Sequence, residues 1–142
     1  MGVKHCITCA NGTDAISVAL QVFGIGKGDA VFVPDFTFFS SGECPAAEGA
    51  TPIFVDVDTN TYNMNPEKLE EAILKVKDEG KYIPKAVVAV DLFGQCADYD
   101  KICLICKKYG LFLLEDGAQG FGGSIRGKMA CSFGDISTTS FF

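Results

Sequence analysis

Leu111-Phe112-Leu113-Leu114 is an unbroken apolar run of strand length that stops abruptly at Glu115-Asp116, before the small residues Gly117-Ala118. A run without polar alternation suits a strand covered on both faces, which is the situation inside a parallel sheet. Ligands of open α/β sheets collect at the carboxyl ends of the strands, so Asp116 is expected on the floor of a crevice, held by a rigid element. The plainer alternative is that Glu115 and Asp116 cap a loop.

The same grammar repeats along the chain. Ala30-Val31-Phe32-Val33-Pro34 reads as a further buried strand, and Thr51 to Asp56 and Lys85 to Val90 read as a third and a fourth strand. Between them lie helical patterns. One begins after Asn11-Gly12-Thr13-Asp14, with Asn11 or Thr13 as cap and Ala15 to Phe23 as its apolar residues. Others run from Ser40 to Glu48, from Pro66 with Asn65 as cap and Leu69, Ile73, Leu74 and Val76 as the buried stripe, and from Asp98 to Tyr109. Ser124 to Lys128 reads as a small hairpin, and Gly134 to Phe142 as the start of another strand. Strand–helix alternation predicts an α/β fold, a mostly parallel sheet with helices on both faces. With 142 residues and 48% hydrophobic content, one core and one domain are expected.

Composition narrows the function classes. A net charge of −6, with Arg126 the single arginine among 12 basic side chains, argues against a nucleic-acid-binding surface. No apolar stretch approaches the roughly 20 residues of a membrane span and no signal-peptide core follows Met1, so a soluble cytoplasmic protein is expected. Seven dispersed cysteines fit reduced thiols. Cys6/Cys9 and Cys103/Cys106 have CxxC spacing, which leaves open a zinc-stabilised, non-catalytic binding module; Cys103 and Cys106 also fit a helix as small buried apolar residues. Gly24 to Asp29 follows a helix and lacks the spacing of a dinucleotide-binding loop.

Two further stretches point to a ligand. The amides at the start of the first helix attract anions. Phe36, Phe38 and Phe39 follow the Ala30–Pro34 strand and so share a rim with Asp116, where a planar cofactor could stack; alternatively they pack the next helix on the sheet.

Taken together, Asn11-Gly12-Thr13, Val33-Pro34-Asp35-Phe36-Thr37-Phe38, Glu115-Asp116-Gly117-Ala118-Gln119 and Gly134-Asp135 through Ser140-Phe141 resemble the DegT/DnrJ/EryC1/StrS family. These are pyridoxal 5′-phosphate-dependent sugar aminotransferases of the aspartate aminotransferase fold, fold type I. The resemblance covers essentially the whole chain. It implies that Asp116 lies beside the pyridine nitrogen, that Gly12, Thr13 and Ser140 bind the cofactor phosphate, that Phe38 stacks on the ring and that Gln119 lies near the ring's 3-oxygen. It implies a nucleotide-sugar substrate, an amino-donor amino acid such as glutamate, and a homodimer. The family's Schiff-base lysine follows Ser-Phe by a few residues and no lysine here has that context. Residues 1–142 are therefore expected to be a partial large domain, inactive alone, with the C-terminal small domain absent. A dehydratase of the same family, with His replacing that lysine, is the neighbouring alternative.

Overall fold

The computed structural model describes residues 1–141. In chain order they form α1 (Gly12–Val22), β1 (Asp29–Pro34), α2 (Ser40–Ala47), β2 (Thr51–Val55), α3 (Pro66–Glu79), β3 (Ile83–Val90), α4 (Tyr99–Tyr109), β4 (Phe112–Asp116), β5 (Ser124–Ile125), β6 (Lys128–Met129) and β7 (Ile136–Thr138). Five strands make one sheet in the order β2-β1-β3-β4-β7, every neighbouring pair parallel, and β5 and β6 form the expected hairpin. The last strand is shorter than its sequence suggested, and Phe142 lies outside the described residues.

Each central strand feeds two cores. Val31, Val33, Ala86, Val88 and Leu114 pack with Ile16, Ala19 and Leu20 of α1 and Cys44 of α2. Their pleat neighbours Phe32, Val87, Ala89 and Leu113 pack with Leu69, Ile73 and Val76 of α3 and Ile102, Ile105 and Cys106 of α4. Continuous apolar runs are thus the direct consequence of a sheet with both faces covered. Chain order reverses between β1 and β3: β2 lies on one outer side of β1 and all later strands on the other, which opens a crevice at their carboxyl ends.

The helix boundaries have local causes. Asn65 accepts from the amides of Glu67 (2.9 Å) and Lys68 (3.2 Å), and Asp98 accepts from Lys101 (3.3 Å). Gly80 and Gly110 end α3 and α4 with φ of 63° and 68°, a left-handed turn that glycine adopts without a Cβ clash. Leu74 departs from the expected stripe and is exposed. Leu69, Ile73 and Val76 recur at the helical spacing of four and three, and Leu74 is rotated about 100° away from Ile73.

Glu115 and Asp116 do not act as a loop cap. Both are buried in β4, and the pleat sends them to opposite faces. Glu115, on the α3/α4 side, is fully buried and receives four donors: Cys131 N (2.5 Å) on Oε1, and Phe133 N (2.6 Å), Gly134 N (3.1 Å) and Ser137 Oγ (2.7 Å) on Oε2. One carboxylate thus organises the loop that delivers β7. Asp135 closes the arrangement, its Oδ2 accepting from Leu113 N at 2.8 Å while its own amide donates to Leu113 O at 2.8 Å.

Replacing Glu115 by Ala strands four donors, one buried and three partly buried, and is expected to lower the unfolding free energy of the natural protein by about 3 kcal/mol in urea titrations. Glu115→Gln turns one acceptor into a donor facing donors, and is expected to cost about 2 kcal/mol.

Candidate functional site

Asp116 ends β4 on the face covered by α1 and α2, and it is 5% exposed. Its Oδ1 accepts from Ala118 N at 3.2 Å, and Ser41 Oγ of α2 reaches its Oδ2 at 3.5 Å. Ser41 is itself 3.1 Å from Thr37 Oγ1, so a hydroxyl relay runs from the segment after β1 to the carboxylate. Burial pushes the Asp116 carboxyl up from its ordinary range, opposed by the Ala118 amide and the Ser41 hydroxyl. Among the described residues no lysine or arginine forms an ion pair with it.

The start of α1 lies at the same end of the sheet. Asn11 is the cap, its Oδ1 accepting from Asp14 N at 2.9 Å and its Nδ2 donating to Asp14 Oδ2 at 3.0 Å. That choice leaves the amides of Gly12 and Thr13 as the first-turn donors without an acceptor inside the helix. Gly12 lies against Ser140, just past β7: a Cβ on Gly12 would stand 3.0 Å from Ser140 Cβ and 3.4 Å from its Oγ. The backbone runs there directly from the carboxylate, since Asp116 pairs with Thr138 and Gly117 N donates to Thr138 O at 2.8 Å. Thr13 is exposed, and its carbonyl accepts from Cys44 Sγ of α2 at 3.6 Å.

The remaining candidates sit on the rim. Phe38 is 68% exposed and Phe39 75%, so neither packs α2 on the sheet. Phe36 is exposed too, and meets Tyr62 and Phe93 with ring centroids 5.6 Å and 6.4 Å away. Gln119 is exposed on the turn after Asp116, and its Oε1 accepts from Phe93 N at 2.8 Å, which leaves Nε2 as a donor. Thus Gly12, Ser140 and Asp116 are joined through β4 and β7, Phe38 through the Thr37–Ser41 segment, and Gln119 through the 117–120 turn. Ser41 was missed by sequence reading; a hydroxyl three residues after Phe38 was the available signal.

The CxxC pairs do not build a metal centre. Cys6 and Cys9 lie in the exposed amino-terminal segment, Cys103 and Cys106 on α4, and no cluster of three metal-ligating side chains occurs among the described residues. Burial pushes the Cys106 thiol up to about 12 and raises that of Cys103, which opposes the thiolate that zinc requires.

A profile of the DegT/DnrJ/EryC1/StrS aminotransferase family matches residues 1–142. The chain belongs to this family. Among its members it is similar to the UDP-2-acetamido-2-deoxy-3-oxo-D-glucuronate aminotransferase of Pseudomonas aeruginosa, with 45% identity over 142 residues, covering 100% of this chain and 38% of that protein. The crystal structure of a family aminotransferase from Brucella abortus superposes with a TM-score of 0.98 at 51% identity, over 99% of this chain and 38% of that one. The PLP form of the Streptococcus pneumoniae protein Spr1654 gives a TM-score of 0.81 at 28% identity, over 93% and 36%. The sheet and its two helical layers are therefore the fold-type-I arrangement of these aminotransferases, and the chain spans well under half the length of its relatives. No helix among the described residues is long and apolar enough to cross a membrane.

Ser41→Ala removes the hydroxyl that lowers the Asp116 carboxyl, so its titration is expected to move further up. Carbon-13 NMR of aspartate-labelled protein over a pH series reads that shift directly. Because the folded-state value lies above the unfolded one, the associated stability is present at low pH and declines as pH rises through the folded value, later in the variant.

Proposed function

We propose that these residues belong to the cofactor-binding large domain of a pyridoxal 5′-phosphate-dependent aminotransferase, one that transfers an amino group from an amino acid such as glutamate to a nucleotide-linked keto sugar. The observation that carries this reading is the close approach of Gly12 and Ser140 at the α1 start, on the side of the sheet where Asp116 is buried without a cationic partner.

The residues present suit the group. The Gly12 and Thr13 amides would hold the phosphate at the positive end of the α1 dipole, with the Ser140 hydroxyl beside them. Glycine at position 12 keeps open the space against Ser140, where a Cβ would stand 3.0 Å from the Ser140 Cβ. Asp116, raised by burial, gains a charge-assisted bond when a protonated ring nitrogen faces it; Ser41 and Ala118 hold its orientation. Phe38 would stack on the heterocycle and Gln119 Nε2 would donate to it, with Gln119 Oε1 accepting from Phe93 N. When bound, the cofactor supplies an electron sink for the carbanion that forms as the amino group moves. The names of the similar proteins support a nucleotide-sugar substrate, and the exposed rings of Phe36, Tyr62 and Phe93 support a homodimer packing on this rim. The protein is assigned to the cytoplasm.

Titration of the natural protein with pyridoxal phosphate, followed by absorbance and fluorescence, tests the site. Asp116→Asn is expected to slow amino transfer about 100-fold or more, because the neutral amide no longer holds the ring nitrogen protonated. Phe38→Ala is expected to weaken cofactor binding about tenfold. Unchanged affinity and rate in both variants would refute the assignment.

A further inference from the structure

Asp91, the residue after β3, is fully buried, and its Oδ1 accepts from Ala97 N at 3.0 Å and Tyr99 Oη at 2.8 Å. Its Oδ2 is buried without a hydrogen-bond partner among the described residues. Register explains what faces it. Ala89 pairs with Glu115 across β3 and β4, and Asp91, two residues on, points to the same α3/α4 side. Two carboxylates side by side are acceptor against acceptor, and a hydrogen bond between them needs one proton. Glu115 already receives four donors, an environment that suits the anion, so the proton belongs to Asp91. Burial and the Glu115 charge push the Asp91 carboxyl up to about 7 against the opposing donors of Ala97 and Tyr99. The other titratable groups facing this pair are Tyr99 on α4 and the Cys96 and Cys131 thiols of the adjoining loops; burial raises all three, so they stay protonated at neutral pH.

Asp91 also lies beneath the turn that presents the site. A Cβ on Gly120 would stand 2.5 Å from both Asp91 Cβ and Oδ2, and one on Gly117 would stand 3.8 Å from Oδ2. Its amide donates to Asp116 O at 3.0 Å. We propose that Asp91 is a positioning residue kept as a neutral acid, sharing its proton with Glu115, and that this pair holds the 117–120 turn so that Asp116 and Gln119 meet the cofactor. The consequence for the cofactor rests on the function proposed above, whereas the shared proton does not.

The test uses the natural protein with Asp91→Asn and Asp91→Ala. In the cofactor-free protein near pH 6, the infrared carbonyl band of a protonated buried carboxyl is expected, and it disappears in Asp91→Asn. Stability of the parent is expected to fall as pH rises from the ordinary carboxylate range to about 7, because the folded chain there binds more protons than the unfolded one, and the fall is shallower in Asp91→Asn. Asp91→Asn, which can accept from Ala97 and Tyr99 and donate to Glu115, is expected to keep pyridoxal phosphate affinity; Asp91→Ala is expected to weaken it about tenfold or to fail to fold. A missing band, or an asparagine variant as impaired as the alanine one, would overturn the proposal. Absence of cofactor binding in the parent would instead overturn the function above and leave the infrared result to decide the shared proton.

Discussion

A buried carboxylate must be met by donors, a cation or a proton, and in this chain three buried carboxyls meet that requirement in different ways. Glu115 takes four hydrogen bonds from the loop before β7 and thereby holds the edge strand in register. Asp91 takes two on one oxygen and leaves the other buried without a hydrogen-bond partner among the described residues. Asp116 takes one amide and one long hydroxyl contact, and so retains accepting capacity on the opposite face of the sheet. That residual capacity sits at the carboxyl end of β4, where the rest of the fold gathers the other strand ends.

The sheet provides the arrangement because each strand end carries a different part. The residues after β1 bring Phe38 and the Thr37–Ser41 hydroxyls, those after β3 bring Asp91 and Phe93, and those after β7 bring Ser140 against the start of α1. None of these segments can shift alone. Phe93 N is tied to Gln119, Asp91 N to Asp116 O, and Asn63 joins the β2–α3 connection to the residues after β3 through Leu92 N at 3.1 Å and Gln95 O at 2.9 Å. Backbone-anchored positioning of this kind lets loops present side chains on a rigid frame.

Phe93 and Tyr62 add a local cost to that frame, with φ of 58° each, a region that bulky residues rarely occupy. Their rings meet at 6.3 Å between centroids and remain exposed on the rim beside Phe36. Exposed aromatic surface is thus gathered at the mouth of the crevice.

Local sequence alone determined the alternation of elements, the capping residues Asn65 and Asp98, and the two-sided burial of β1 and β4, because propensity, periodicity and turn chemistry act over a few residues. It also marked Gly12, Thr13, Phe38, Asp116, Gln119 and Ser140 through the family resemblance. Tertiary structure decided the rest. That Glu115 and Asp116 serve different faces follows from where β4 lies between its neighbours, and whether Phe38 packs or stays exposed depends on how α2 docks. The closeness of Gly12 to Ser140, and of Asp91 to Glu115, joins residues 128 and 24 positions apart in the chain. No local signal encodes such distances, since they exist only once the parallel strands have paired.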